Sequence, residues 1–127
     1  MTEHVSFAVE GEPRAKQSFR FSRRGHFTDP RIKEWQNAVA WQARIAMQGM
    51  DPICGKVAMR VTFYLRTHHR VDLDNLQKAV GDALAGIVYK DDSQIVNLQL
   101  EKRINKIPGV LVEVCKGSKL PGNMEGK

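Results

Sequence analysis

The stretch HHRVDLDNLQKAVGDALAGIVYKDDSQ, His68 to Gln94, holds five aspartates: Asp72, Asp74, Asp82, Asp91 and Asp92. The rest of the chain is basic, and the formal net charge is +6. Ionised carboxylates near one another repel unless a raised pKa, a basic partner or a bound cation relieves them. In VDLDN, Asp72 and Asp74 stand two apart, so an extended backbone turns both to the same side and one cation could hold both. Hard carboxylate oxygens of this kind suit Mg²⁺ or Mn²⁺, which keep waters for substrate phosphate oxygens. Lys78 lies four residues after Asp74 and four before Asp82, so on a helix the three share a face. Beside a metal-bound phosphate, Lys78 could stabilise developing charge or protonate a leaving oxygen. The plainer alternative makes Asp72 or Asp74 a helix cap and Asp82 a surface ion pair with Lys78. A cap accounts for one aspartate and leaves Asp91 and Asp92 unexplained.

Rival motifs are absent. A calcium loop starting at Asp72 needs Gly at its sixth position and Glu at its twelfth, where the chain has Gln77 and Ala83. There is no GxxxxGK[ST], HExxH or GxSxG, so no nucleotide cofactor, zinc proteolysis or serine hydrolysis is expected. His68 and His69 read as a solvated pair at a strand end. Cys54 and Cys115 lack ligand spacing and are assigned no chemistry.

The cations cluster as well. Arg14, Lys16, Arg20, Arg23 and Arg24 occur with no acid between Pro13 and Thr28, and Arg66, His68, His69 and Arg70 lead into the acidic stretch. With a pI near 9.6, the pattern favours a nucleic-acid partner. Arg14 to Arg24 and Arg70 are the candidate phosphate-gripping residues, positioning DNA without reading bases.

These residues need a scaffold. His4–Glu10 alternates as a half-buried strand, and Ser18–Thr28 reads as a hairpin turning at Arg24-Gly25. From Asp29-Pro30, a cap and a first helical position, Ile32, Trp35, Val39, Ala43 and Ala46 or Met47 recur at helical spacing, predicting a helix to about Gly49. Its tryptophan stripe reads as core rather than a base-stacking platform. Lys56–Arg66 is a long strand that ends beside the acidic stretch. Leu73–Gly86 is an amphipathic helix closed by Gly86. The apolar run Ile87 to Tyr89 could lead the chain back along that helix. Ile95–Asn105 and Gly109–Lys116, joined by NKIPG, predict a terminal hairpin. The expected fold class is α+β, a two-layer arrangement of a mixed β-sheet with two main helices packed on one face. Residues 1–119 are expected to form one domain and 120–127 a disordered tail. With no basic-then-apolar leader at Met1–Ala8 and no membrane-length apolar run, the expected location is cytoplasmic, with no membrane partner.

Three segments in order, GEPRAK (Gly11–Lys16), RVDLDNLQKAVGDAL (Arg70–Leu84) and YKDDSQI (Tyr89–Ile95), resemble the RusA-like endodeoxyribonucleases, which resolve Holliday junctions in bacteria and their phages. The resemblance spans roughly Val5 to Val114. It implies a homodimeric, Mg²⁺-dependent nuclease, with Mn²⁺ as a substitute, that makes paired symmetric nicks in a four-way junction during recombination and repair. Asp72 and Asp74 match the family's metal ligands and Lys78 its catalytic lysine. Asp91 and Asp92 match its DD pair, the second aligning with a third essential carboxylate. The segment between DAL and DD is about one residue shorter than the pattern, so both aspartates stay candidates, and Ser18 stands where many members carry Arg. Two other readings remain open on the residues: a non-enzymatic basic DNA-binding or packaging protein, and a nuclease for flaps or forks.

Overall fold

A computed structural model describes residues 4–15, 30–67 and 72–120. The elements are strand β1 (His4–Glu10), helix α1 (Pro30–Met47), strand β2 (Val57–Leu65), helix α2 (Leu73–Leu84), a 3₁₀ turn (Asp92–Gln94), strand β3 (Ile95–Ile104) and strand β4 (Gly109–Lys116). The expected hairpin over 18–28, the Asp29 cap, the His68-His69 pair and all of the expected 120–127 tail except Leu120 lie outside the described residues.

The four strands form one mixed sheet in the order β1-β4-β2-β3. β4 runs antiparallel to both β1 and β2, and β3 runs parallel to β2. Both helices cover one face, as expected of a two-layer α+β fold. Trp35, Val39 and Ala43 of α1 and Leu76, Val80 and Leu84 of α2 pack on Val57, Met59, Val61 and Phe63 of β2 and on alternate residues of β1 and β4. The period-two pattern of β1, with Val5, Phe7 and Val9 buried, places that strand's apolar side under α1. No helix among the described residues is long and apolar enough to cross a membrane.

One expectation is overturned. β3 and β4 do not form a hairpin, because β2 lies between them. Alternation reveals which side of a strand is buried but not which strand lies beside it. β2 is buried on both sides along most of its length and so takes the interior position, while α2 is the crossover that makes β3 its parallel neighbour. The NKIPG connection passes the end of β2, where Asn105 N donates to Leu65 O at 2.8 Å.

The stripe Ile32, Trp35, Val39, Ala43 and Met47 of α1 is buried as expected. Trp35 is 6% exposed and belongs to the core, whereas Trp41 is 61% exposed. The offset of six residues turns Trp41 through about 240° from Trp35 at 100° per residue. It therefore stands on the outer side of α1.

Candidate active site

α2 begins where the chain leaves an extended conformation at Asp72 (φ −72°, ψ 129°). The Asp72 carbonyl accepts from Asn75 N and Leu76 N, both at 3.1 Å, but its carboxylate makes no capping hydrogen bond. The alternative that Asp72 exists to cap the helix with its side chain is therefore not realised. Asp72, Asp74 and Lys78 are all exposed. Asp74 and Lys78 stand four residues apart, one turn along the same solvent-facing side.

Past α2 the chain doubles back. Gly86 adopts φ +90°, a region open to glycine at little steric cost, and its N–H donates to Tyr89 O at 2.7 Å. Tyr89 is fully buried, and its hydroxyl donates to Asp92 Oδ1 at 3.2 Å. The Asp92 carboxylate is laid against α2 at Gly81, where a β-carbon would meet Oδ1 at 3.4 Å and Oδ2 at 3.7 Å. A glycine in mid-helix lowers helix stability, and here it leaves room for a carboxylate beside the helix. Burial, followed by the charge of Asp92, holds the Tyr89 phenol far above its usual value, so it acts as a proton-bearing donor.

The adjacent aspartate is engaged differently. The Asp91 carboxylate accepts from Ser93 N at 3.0 Å; hydrogen bonding from the Ser93 side chain, and then from its backbone, holds it below the usual carboxylate range, and it forms a reciprocal capping box with Gln94. Gln94 Oε1 accepts from Lys90 N (2.7 Å) and Asp91 N (3.0 Å), and Gln94 Nε2 donates to Ile53 O and Gly55 O, both at 2.8 Å. One amide thus fastens the two-aspartate turn to the loop that precedes β2. Asp91 shapes the turn, and Asp92 is presented to α2.

Lys78 and Asp92 line a common pocket of about 360 Å³ with Gln77, Gly81 and the start of β3 through Leu98. Gln77 Oε1 is buried, with no hydrogen-bond partner among the described residues. Asp74 lies on the same side of α2 as Gly81 but seven residues away, about 10 Å along the axis. The chain does return along the helix, and it stops level with Gly81. Among the described residues no three His, Cys, Asp or Glu side chains lie close enough together to hold a metal ion. Of the candidate phosphate-gripping residues, Arg14 is described and half-buried, while Lys16, Arg20, Arg23, Arg24 and Arg70 lie outside the described residues.

The family described as Endodeoxyribonuclease RusA matches residues 10–115. The chain belongs to the RusA family. It is similar to an uncharacterised protein, YqaN, of Bacillus subtilis (strain 168), at 33% identity over 87% of this chain and 94% of that protein. It is also similar to the crossover junction endodeoxyribonuclease RusA of Aquifex aeolicus (strain VF5), at 29% identity over 69% of this chain and 71% of that protein. Its class is thus that of an endodeoxyribonuclease, and the RusA assignment supports an enzyme that resolves Holliday junctions.

RusA nucleases generally depend on a divalent metal, and the donor chemistry here fits a hard cation. The exposed carboxylates of Asp72 and Asp74 at the start of α2, Asp92 held against Gly81 and the amide oxygen of Gln77, without a hydrogen-bond partner among the described residues, are all oxygen donors. They form an open array rather than a closed cage. Mg²⁺ suits such an array, since it commonly takes one or two carboxylates and completes its shell with water and phosphate. Reading the sequence singled out the acids and Lys78 but missed Tyr89, Gly81 and Gln94. An aromatic three residues before the second Asp and a mid-helix glycine were the available signals. For Gln94 the signal was its place three residues after Asp91, the spacing of a capping box, whereas its two bonds to Ile53 and Gly55 depend on where the loop before β2 lies.

Proposed function

We propose that this chain is a Mg²⁺-dependent Holliday junction resolvase that makes paired, symmetric nicks as a homodimer. The observation that carries the reading is Asp92 laid against Gly81 in one pocket with Lys78, on the side of α2 that also bears Asp74. Asp72 and Asp74 at the start of α2, and Asp92 beside Gly81, would hold one or two cations between them, with Asp91 supporting the turn. A divalent ion bound by these carboxylates would supply an activated water and neutralise charge on the scissile phosphate. Tyr89 fixes the orientation of Asp92 through its 3.2 Å bond. The Lys78 ammonium, on the wall of the same pocket, is available to the negative charge growing on the phosphate or to the departing oxygen.

Val96 and Leu98 of β3 are exposed beside the pocket on an edge strand, an apolar strip suited to a second copy. Two like sites related by a two-fold axis would face two like strands of a junction. The DNA substrate and the two free cysteines suit a reducing cytoplasm.

The test is a labelled four-way junction incubated with Mg²⁺ or with EDTA and read at nucleotide resolution, beside flap and fork substrates. The expected result is symmetric paired cuts in Mg²⁺ and binding without cuts in EDTA. Asp72→Asn should lose cleavage and retain binding. Full activity in that variant, or a preference for flaps, refutes the proposal.

A further inference from the structure

We propose that the outer face of α1 is a second DNA-contacting surface, on which Lys33 and Arg44 hold phosphates of a duplex arm and Trp41 packs against its sugars and bases. The inference rests on the endonuclease reading for the class of ligand, but it uses none of the carboxylates.

The first observation is the exposure of large apolar side chains at one place. Trp41 is 61% and Ile45 53% exposed, although the opposite side of the same helix buries Ile32, Trp35, Val39, Ala43 and Met47. Lys33, Asn37, Trp41 and Ile45 follow one another at intervals of four, so they form a single row along the helix, with Arg44 one turn from Trp41. Single exposed apolar residues are ordinary, but an indole and a branched aliphatic one turn apart make a contiguous patch that suits a ligand with flat apolar surface.

The second observation is charge. α1 carries Arg31, Lys33 and Arg44 against one acid, Glu34. Lys33 and Arg44 line a groove of about 490 Å³ between α1 and the end of α2, with Gln36, Asn37 and Ala40 on the same wall. Neither cation forms an ion pair within that groove among the described residues, although Asp82 stands on its far wall; Asp82 has an interaction of its own. Lys33 and Arg44 are eleven residues apart, about 16 Å along the axis. That distance spans roughly five base-pair steps at 3.4 Å. Cations spaced along a ridge with an aromatic between them match a phosphate backbone with stacked bases beside it.

The third observation is continuity. The groove's far wall is the C-terminal end of α2, from Asp82 to Ile87, and α2 also carries Asp74 and Lys78 on its solvent side. A strand entering the site at Lys78 would continue across Asp82 onto α1. Cleavage chemistry and this grip would then occupy neighbouring helices of one layer.

The test uses the full-length protein in EDTA, so that binding is read without cleavage. Affinity for a four-way junction and for a plain duplex is measured across a salt series for wild type, Trp41→Ala and Lys33→Ala/Arg44→Ala, with tryptophan emission followed during titration. Because Trp41 is exposed, its replacement should leave thermal unfolding nearly unchanged, which separates lost contact from lost fold. We expect wild-type emission to change on adding DNA, with buried Trp35 as the silent reference, and Trp41→Ala to weaken binding about tenfold. The double variant should lower the slope of log affinity against log salt by nearly two, about 0.9 for each phosphate contact removed. Variants that bind as wild type with an unchanged slope overturn this inference alone. Wild type that binds no DNA in EDTA overturns the endonuclease reading with it. Trp41 emission that shifts with protein concentration before DNA is added assigns the face to a second copy and overturns the proposal.

Discussion

The two helices share one layer and one core, yet their outer sides are opposite in character. α2 shows water Asp72, Asp74, Asp82 and one cation, Lys78. α1 shows it Lys33, Arg44, Asn37 and an exposed tryptophan. Inner faces are dictated by the same sheet and look alike, with small and branched side chains every three or four residues. Outer faces carry no packing duty, so their difference reports on ligands. On the proposed reading, one helix handles the bond that breaks and the other the polymer that contains it.

If that division holds, variants on the two helices should fail in different assays. The largest effect is expected at Asp92 and Asp74. Asn at either should cut the cleavage rate by on the order of a thousandfold, through lost metal and transition-state stabilisation. Junction affinity in EDTA should stay within about twofold, checked by gel shift. A parallel loss of binding would erase the contrast with α1. Next comes Gly81. Its β-carbon position already lies 3.4 Å from Asp92 Oδ1, so Gly81→Val must displace the carboxylate, and cleavage should fall about a hundredfold. Gly81→Ala fits at ordinary contact distance and should raise unfolding stability by about 0.5–1 kcal/mol.

Tyr89→Phe removes one hydroxyl behind the proposed ligand. The Mg²⁺ concentration for half-maximal rate should rise about tenfold, with the maximal rate recovered at high metal, because the loss of a partner behind a metal ligand chiefly weakens affinity. Mn²⁺ titration of the DNA-free protein should show the same shift. The smallest effect is at Asp91. Its carboxylate is held below 3.8 by Ser93, so the stability it contributes is present above pH 3.8 and lost as pH falls through the lowered value. Asp91→Asn should lower the melting temperature slightly at neutral pH, with cleavage nearly intact. The difference from wild type should close in acid. A large loss of cleavage there would reverse the roles given to the two adjacent aspartates.

The sequence made much of this legible for definite physical reasons. α1 and α2 were visible because their buried residues recur at helical spacing, and the edges of β2 and β4 because β-branched runs meet Gly and Pro. The acids and Lys78 were visible as residue types at meaningful intervals, and the family through motifs in order. Partner strands were not visible, since a crossover and a hairpin leave the same alternation in β3 and β4. Trp41 drew no notice because it lies off the buried stripe, and helical spacing alone gives an exposed side chain no role. The choice between Asp91 and Asp92 was open because both lie in one turn, and only Ser93 N, Gly81 and Tyr89 tell the two carboxylates apart.

Gln94 has a consequence of its own. Its amide donates two hydrogens to the carbonyls of Ile53 and Gly55 while its oxygen receives two from the backbone. Glutamate is almost the same shape but would turn an anion toward those carbonyls with nothing to donate. Slow hydrolytic loss of that single amide nitrogen, a form of chemical ageing, would therefore detach the turn from the loop before β2. An old enzyme molecule could lose the alignment of Asp92 with every catalytic side chain still in place.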